Sequence, residues 1–371
     1  MSGACDVAAV GGVNIMTRPE YPVGMSKGQF LARDGECKSF DERGDGYGRG
    51  EGAGVIVLKE MSQAIRDGDV ILAKVLATGV NSDGRTPGIS MPSGEAQEAL
   101  ARELCEENNI DPGSIHYVEC HGTGTSIGDP TEAGSIGNVY GKNRTGDDRV
   151  VIGTIKSNIG HTEALAGIAG VIKAVMTLVN RVATPLANLQ TPNSSIPFDD
   201  LGLRLSDEMV PLGKGGETLR AAVNSFGYGG TNAHAILEGV SAPDKVLESS
   251  SSKDSDMPFM LPISARSTKA LKELAGKVAT TIETGNGTLE DIIHTSAHRR
   301  AHLSHRAVVM GDDALSLTSS LKNFSEGEEE TRVVSDNVPF GGLDKPVFVY
   351  TGMGPQWWGM GQELYLSLIH I

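Results

Sequence analysis

Positive charge is in short supply: 32 Lys and Arg stand against 47 Asp and Glu, a net charge of −15 over 371 residues. No broad basic surface is available to displace counterions, which argues against a general nucleic-acid binder. Cysteine is equally sparse. Cys5, Cys37, Cys105 and Cys120 are widely spread and form no CxxC pair, so neither a zinc knuckle nor a disulfide scaffold is indicated. That usage suits a reducing compartment, the cytoplasm. No stretch reaches transmembrane length, and Met1 to Met16 lacks the basic start and apolar run of a secretory signal. Aromatic residues are only 5% of the chain. Glycine is abundant, 48 residues without a collagen period, and in a globular chain that means tight turns and close backbone approach.

Along the chain, residues 1–240 read as one unit. Val7–Val13, Val55–Leu58, Val70–Val80, Ile115–Cys120 and Val150–Ile155 are strand candidates, the first of them buried. Gly94–Glu107 has a helical stripe of Ala96, Ala99, Leu100 and Leu104, with Ser93 as N-cap. Asp129-Pro130-Thr131-Glu132 has the form of a capped helix start. Thr162–Asn180 reads as one long helix buried on most sides. Leu219–Asn224 and Asn232–Glu238 are strands joined by a glycine-rich loop. Alternating apolar strands and helices argue for an α/β fold with helices on both sheet faces. The serine-rich, charged stretch 241–257 reads as a linker. Residues 258–345 form a smaller unit with helices at Thr268–Glu283, Leu289–Ser296 and Asp313–Leu321 and a strand at Arg306–Met310.

The glycine run 44–54 (GDGYGRGEGAG) resembles a nucleotide loop superficially. It precedes a strand and opens no helix, so a tight loop feeding a core strand is the better reading. Three other segments each follow an expected strand: His121-Gly122-Thr123-Gly124-Thr125, Lys156-Ser157-Asn158-Ile159-Gly160-His161, and residues 224–232 (NSFGYGGTN). Ligands of α/β folds bind outside the carboxyl ends of strands, so these three converge plausibly on one pocket. His161 and His121 stand before expected helices, whose positive ends would keep them neutral. Two neutral imidazoles suit an enolate oxygen. Lys156 would fix His161 and the local field, Thr123 and Thr125 offer hydroxyls, and the Tyr228 amide offers an oxyanion donor. Cys120 is a poor nucleophile for His121, because the two point to opposite faces of the strand. No metal-ligand spacing surrounds the Cys120-His121 pair.

The motifs HGTGT, GDPTE, KSNIGH and NSFGYGGTNAH, preceded by GGVN at 11–14 and FDERGDGYGRGEGAG at 40–54, resemble the beta-ketoacyl synthase region of type I animal fatty acid synthases and polyketide synthases. The resemblance covers about all of 1–345. It implies a thiolase-like layered αβαβα body, N-terminally truncated, in residues 1–240. It also implies a flexible linker at 241–257 and a small α/β linker domain at 258–345. Residues 346–365 resemble the opening of an acyltransferase domain, and 366–371 read as a sequencing artefact. The implied activity is decarboxylative condensation of an acyl thioester with malonyl-acyl carrier protein. His121, His161 and Lys156 match the family's catalytic positions. Thr123 and Thr125 match its pantetheine contacts, and Tyr228 its aromatic gate, where phenylalanine is usual. No cofactor is held directly: phosphopantetheine arrives on the acyl carrier protein as a substrate arm. The implied partners are that carrier, malonyl and acyl thioesters, and the adjacent acyltransferase domain, within a homodimer and without nucleic acid or membrane.

One departure is marked. The family's nucleophilic cysteine lies in a DTACSSS-like turn that this sequence lacks, and Cys5 matches a later stretch. The chain by itself is therefore expected to be inactive. Two other readings, a thiolase-like acyl-CoA enzyme and an inactive scaffold fragment, stand beside the condensing one.

Overall fold

The computed structural model describes residues 5–240, 258–285 and 287–338. The chain divides into two units, Met1–Glu248 and Ser249–Ile371. The expected linker at 241–257, the acyltransferase opening at 346–365 and the last six residues lie outside the described residues.

In the first unit, β1 (Val7–Asn14) is followed by α1 (Glu20–Lys27), β2 (Gly52–Lys59), α2 (Met61–Arg66), β3 (Ala73–Ser82), α3 (Gly94–Glu107), β4 (Tyr117–Glu119) and α4 (Gly128–Ile136). Next come β5 (Val150–Gly153), α5 (Lys156–Ile159), α6 (Ala166–Asn180), β6 (Val182–Ala183), β7 (Leu203–Leu205), β8 (Val210–Pro211), β9 (Arg220–Phe226) and β10 (Thr231–Gly239). Six strands form one sheet in the order β3-β10-β9-β4-β5-β7. The run β9, β4, β5, β7 is parallel, and β10 is antiparallel to both β9 and β3. The short parallel strands β4 and β5 are buried at every residue, and β7 at Leu203 and Leu205, as a sheet covered on both sides requires.

The two covers differ in residue size. On one face, Leu100 and Leu104 of α3 and Ala133 and Ile136 of α4 pack on Val118, Ile152, Ala222 and Ile236. The α3 helix starts where Ser93 Oγ accepts from the Ala96 N–H at 3.2 Å. On the other face, Ala174 and Leu178 of α6 meet Tyr117, Val151, Val223 and Leu237. Gly170 lets this helix lie close, since a Cβ there would stand 3.3 Å from both Glu119 and Val223. Beyond α6 lies the antiparallel pair β1–β2, in register from Val7 opposite Lys59 to Asn14 opposite Gly52. Four alternating layers result: helices, sheet, helix, sheet.

Four expectations about these layers are corrected. The segment from Thr162 is not one helix: a 3₁₀ turn, Glu163–Leu165, precedes α6. Nor is α6 buried on most sides. Only the stripe Ala166, Gly170, Ala174, Thr177 and Leu178 is covered, while Ile172, Met176 and Val179 are exposed. By length and composition Glu163–Asn180 would suffice to cross a membrane, contrary to the expectation that no stretch would; here it packs its small-residue stripe on the sheet. Finally, β1 is a strand but not a buried one. Val7 and Val13, with Val55 and Val57 of β2, are exposed because a two-stranded sheet has one face on α6 and nothing on the other among the described residues.

In the second unit, β11 (Phe259–Ala265), α7 (Thr268–Glu283), α8 (Leu289–His298), β12 (His305–Gly311), α9 (Ala314–Glu326) and β13 (Val333–Asn337) follow in turn. The sheet is antiparallel in the order β11-β12-β13, with Leu261, Val309, Leu271, Leu317 and Leu321 at its centre. Ser267, Thr288 and Asp313 cap the three helices through side-chain oxygens. Sequence reasoning missed β11 and β13. Pro262 argues against a strand, but β11 is an edge, where a missing N–H is tolerated. The His/Arg cluster at 298–306 is mostly solvent-facing, and the Arg306 guanidinium donates to the Leu303 and His302 carbonyls.

Candidate active site

Strands β9, β4 and β5 are neighbours and run parallel, so their carboxyl ends emerge at one edge. The three glycine- and histidine-bearing segments leave from those ends, which is how α/β sheets assemble sites from distant sequence.

After β4 the chain turns sharply at His121-Gly122. The Glu132 carboxylate, from α4, accepts both backbone N–H groups, at 2.7 Å from His121 and 2.8 Å from Gly122. It also takes the Asn224 side-chain amide of β9 at 2.8 Å. Asn224 is tied in turn to His234 at 2.6 Å, and His234 to the Tyr140 hydroxyl at 2.7 Å, all of it buried. After β5, the chain turns through α5 to Gly160 at φ +76°, where a Cβ would lie 3.0 Å from the Arg49 backbone. His161 is then pinned by its N–H to the Gly48 carbonyl (2.7 Å) and its carbonyl to the Gly50 N–H (3.0 Å).

The two imidazole rings meet edge to face with centroids 5.3 Å apart. In each ring Nδ1 accepts a backbone N–H: Phe226 to His121 at 3.2 Å, and Glu163 to His161 at 3.0 Å. A backbone N–H can only donate, so both Nδ1 atoms are unprotonated. A neutral ring must then carry its proton on Nε2. Burial holds His121 well below the usual imidazole range, with help from Lys156 and His161. Burial likewise pushes His161 down to about 3, followed by the charges of Lys156 and Arg49. Neutrality therefore comes from burial and neighbouring cations, where the sequence suggested helix ends.

His121 and His161 line a cavity of ≈ 480 Å³ together with Thr123, Thr125 and Tyr228. The Thr123 and Thr125 hydroxyls lie 3.2 Å apart. The Tyr228 side chain is 61% exposed and its ring stands 6.2 Å from Phe30. Lys156 is not part of the lining. It is buried within electrostatic reach of both rings, and burial lowers its own pKa against the pull of Glu119 and Glu132. Cys37, Cys105 and Cys120 are buried, do not line the cavity, and have thiols pushed up by burial. Among the described residues, no three His, Cys, Asp or Glu side chains could hold a metal ion.

Several residues of the site escaped the sequence reading. Asp129 was expected to cap α4. The helix begins at Gly128 instead, and the Asp129 carboxylate reaches away to the Phe40 and Gly124 N–H groups. Burial raises its pKa to about 7. Glu132, expected in a capping box, supports the His121 turn. Arg49, within the glycine run dismissed as a loop, pairs with Glu163. A polar residue in an otherwise glycine-rich loop was the available signal.

Known proteins are similar to this chain in sequence and in fold. Residues 1–64 match the family described as beta-ketoacyl synthase, N-terminal domain, residues 72–190 its C-terminal domain, and residues 192–310 the ketoacyl-synthetase C-terminal extension. The 5-methyl-1-naphthoate synthase of Streptomyces sahachiroi is 42% identical over 98% of this chain, and the 6-methylsalicylic acid synthase of Aspergillus niger 38% identical over 99%. The chain spans about a fifth of either protein, 20% and 21%. Among solved structures, the ketosynthase from module 6 of the bacillaene synthase of Bacillus subtilis 168 is 34% identical, with a TM-score of 0.74 over 90% of this chain and 57% of that one. The family matches over residues 1–310 and the thiolase-like layering agree: this chain belongs to the beta-ketoacyl synthase family.

Proposed function

We propose that this chain supplies the histidine half of a decarboxylative condensing site within a multifunctional polyketide or fatty acid synthase. The observation that carries the reading is the pair of Nε2–H groups, on rings 5.3 Å apart, in one cavity. A malonyl thioester that loses CO2 becomes an enolate, and its oxygen accepts both Nε2–H bonds. The enolate carbon then attacks an acyl thioester; the new carbon–carbon bond forms and the thiolate leaves. Donors already fixed in place need not reorganise as charge develops. The acyl-bearing thiol comes from outside the described residues. Thr123 and Thr125 would meet a pantetheine arm presented by an acyl carrier protein, and Tyr228 would stand beside it. The parent enzyme would be a cytoplasmic homodimer, which suits four unpaired cysteines. Residues 258–345 would be the linker domain leading to an acyltransferase at 346.

The test is condensation by the parent enzyme with acyl and malonyl carrier protein. His161→Ala removes one oxyanion donor and is expected to lower product formation by about 10²–10³-fold. A near-normal rate in that variant overturns the assignment.

A further inference from the structure

The turn that holds His161 is strained. Glu163 has φ +44°, the left-handed region where a side chain is disfavoured. Yet the N–H of this residue is the one that meets Nδ1 of His161. Something must hold the conformation, and the Arg49 guanidinium does so in a bidentate grip on the Glu163 carboxylate, Nε at 2.8 Å and Nη2 at 2.6 Å. Tyr47 adds its hydroxyl at 3.4 Å, and its ring lies 5.0 Å from that of His161.

Arg49 is itself fixed. Its backbone bridges to residue 161, and its guanidinium lies 4.9 Å from the centre of the Tyr21 ring. Its Nη1 is buried and has no hydrogen-bond partner among the described residues. A pair kept for stability alone would gain by satisfying that donor, and buried ion pairs are in any case weak stabilisers. Fixing one geometry is what this pair does well.

We infer that Arg49 and Glu163 are positioning residues: their ion pair holds the strained turn so that the Glu163 N–H caps Nδ1 of His161 and keeps its proton on Nε2, facing the cavity. The inference rests on the proposal that His161 donates through Nε2. Its test reads the ring proton directly and needs no turnover.

The full 371-residue chain is prepared with ¹⁵N-labelled histidine, and the His161 ring signals are assigned by their loss in His161→Gln. The Nε2–H form is expected to dominate in the unsubstituted protein. In Arg49→Met the ratio of Nε2–H to Nδ1–H at His161 is expected to fall by about fivefold or more, the worth of one hydrogen bond. The His121 signals, held by Phe226, should not move and so report an intact fold. An unchanged His161 ratio with His121 intact overturns the inference. Should Arg49→Met fail to fold, Glu163→Gln carries the test, since it keeps volume and one acceptor but loses the charge. A smaller fall of about twofold is then expected, and the unsubstituted ratio overturns the inference. Failure here would leave the His161→Ala condensation assay standing, and failure of that assay would leave the tautomer result standing.

Discussion

Lys156 is buried within electrostatic reach of two imidazoles, and its ammonium opposes a second positive charge on either ring. Replacing it by Met removes that opposition but leaves the burial. The pKa of His161 should rise from about 3, and that of His121 should rise with it, both remaining below 6.5. An NMR titration of the histidine ring signals checks this, and unchanged midpoints would refute the role given to Lys156. His234 gives a second pH effect. Burial lowers its pKa from 6.5 to about 4. The unfolded chain therefore takes up a proton between those values and the folded chain does not. Stability is full above 6.5 and is lost as pH falls towards 4, at about 1.4 kcal/mol per pH unit. Asp129, raised from 3.8 to about 7, acts with the opposite sign over all of that range, so the useful comparison is with a variant. Between pH 7 and pH 5, His234→Gln should lose about 2 kcal/mol less than the unsubstituted protein in urea unfolding.

At the scale of elements, α4 is the strut that joins β4 to β9. Its Glu132 serves the backbone of one segment and the Asn224 side chain of the other. Glu132→Ala would strand three buried donors and is expected to cost about 3–5 kcal/mol, read as a lower denaturant midpoint. A cost below 1 kcal/mol would mean that water replaces the carboxylate. The sequence showed this element well enough, since its helix lies close to where GDPTE suggested a start. What it hid was the direction of the two carboxylates. A capping box and a tertiary clamp use the same residue types three apart, and only the neighbouring strands distinguish them.

Across the first unit, protection should follow the layers. The six-stranded sheet is covered on both faces, whereas β1–β2 has two strands and, among the described residues, one covered face. Isolated two-stranded sheets are marginal in water. Hydrogen exchange measured by mass spectrometry should therefore run much faster in peptides from Val7–Asn14 and Gly52–Lys59 than in those from Arg220–Phe226 and Thr231–Gly239. Equal protection in the four would show that the β1–β2 pair is shielded in solution.

The sequence by itself determined part of the local structure. Ser93 and its apolar stripe set the limits of α3, and Ser267 began α7 at Thr268, because caps and helical spacing are local interactions. It also marked His121 and His161, since histidines beside strand-end glycines have a limited set of uses. Tertiary structure alone decided which nitrogen of each ring carries the proton. That choice depends on backbone N–H groups of Phe226 and Glu163. Phe226 lies 105 residues from His121 in sequence. The turn carrying the Glu163 N–H is held by Arg49, 114 residues away. Partners so distant leave no periodicity or spacing to read. They are set by strand order, and strand order is settled only when the whole sheet closes.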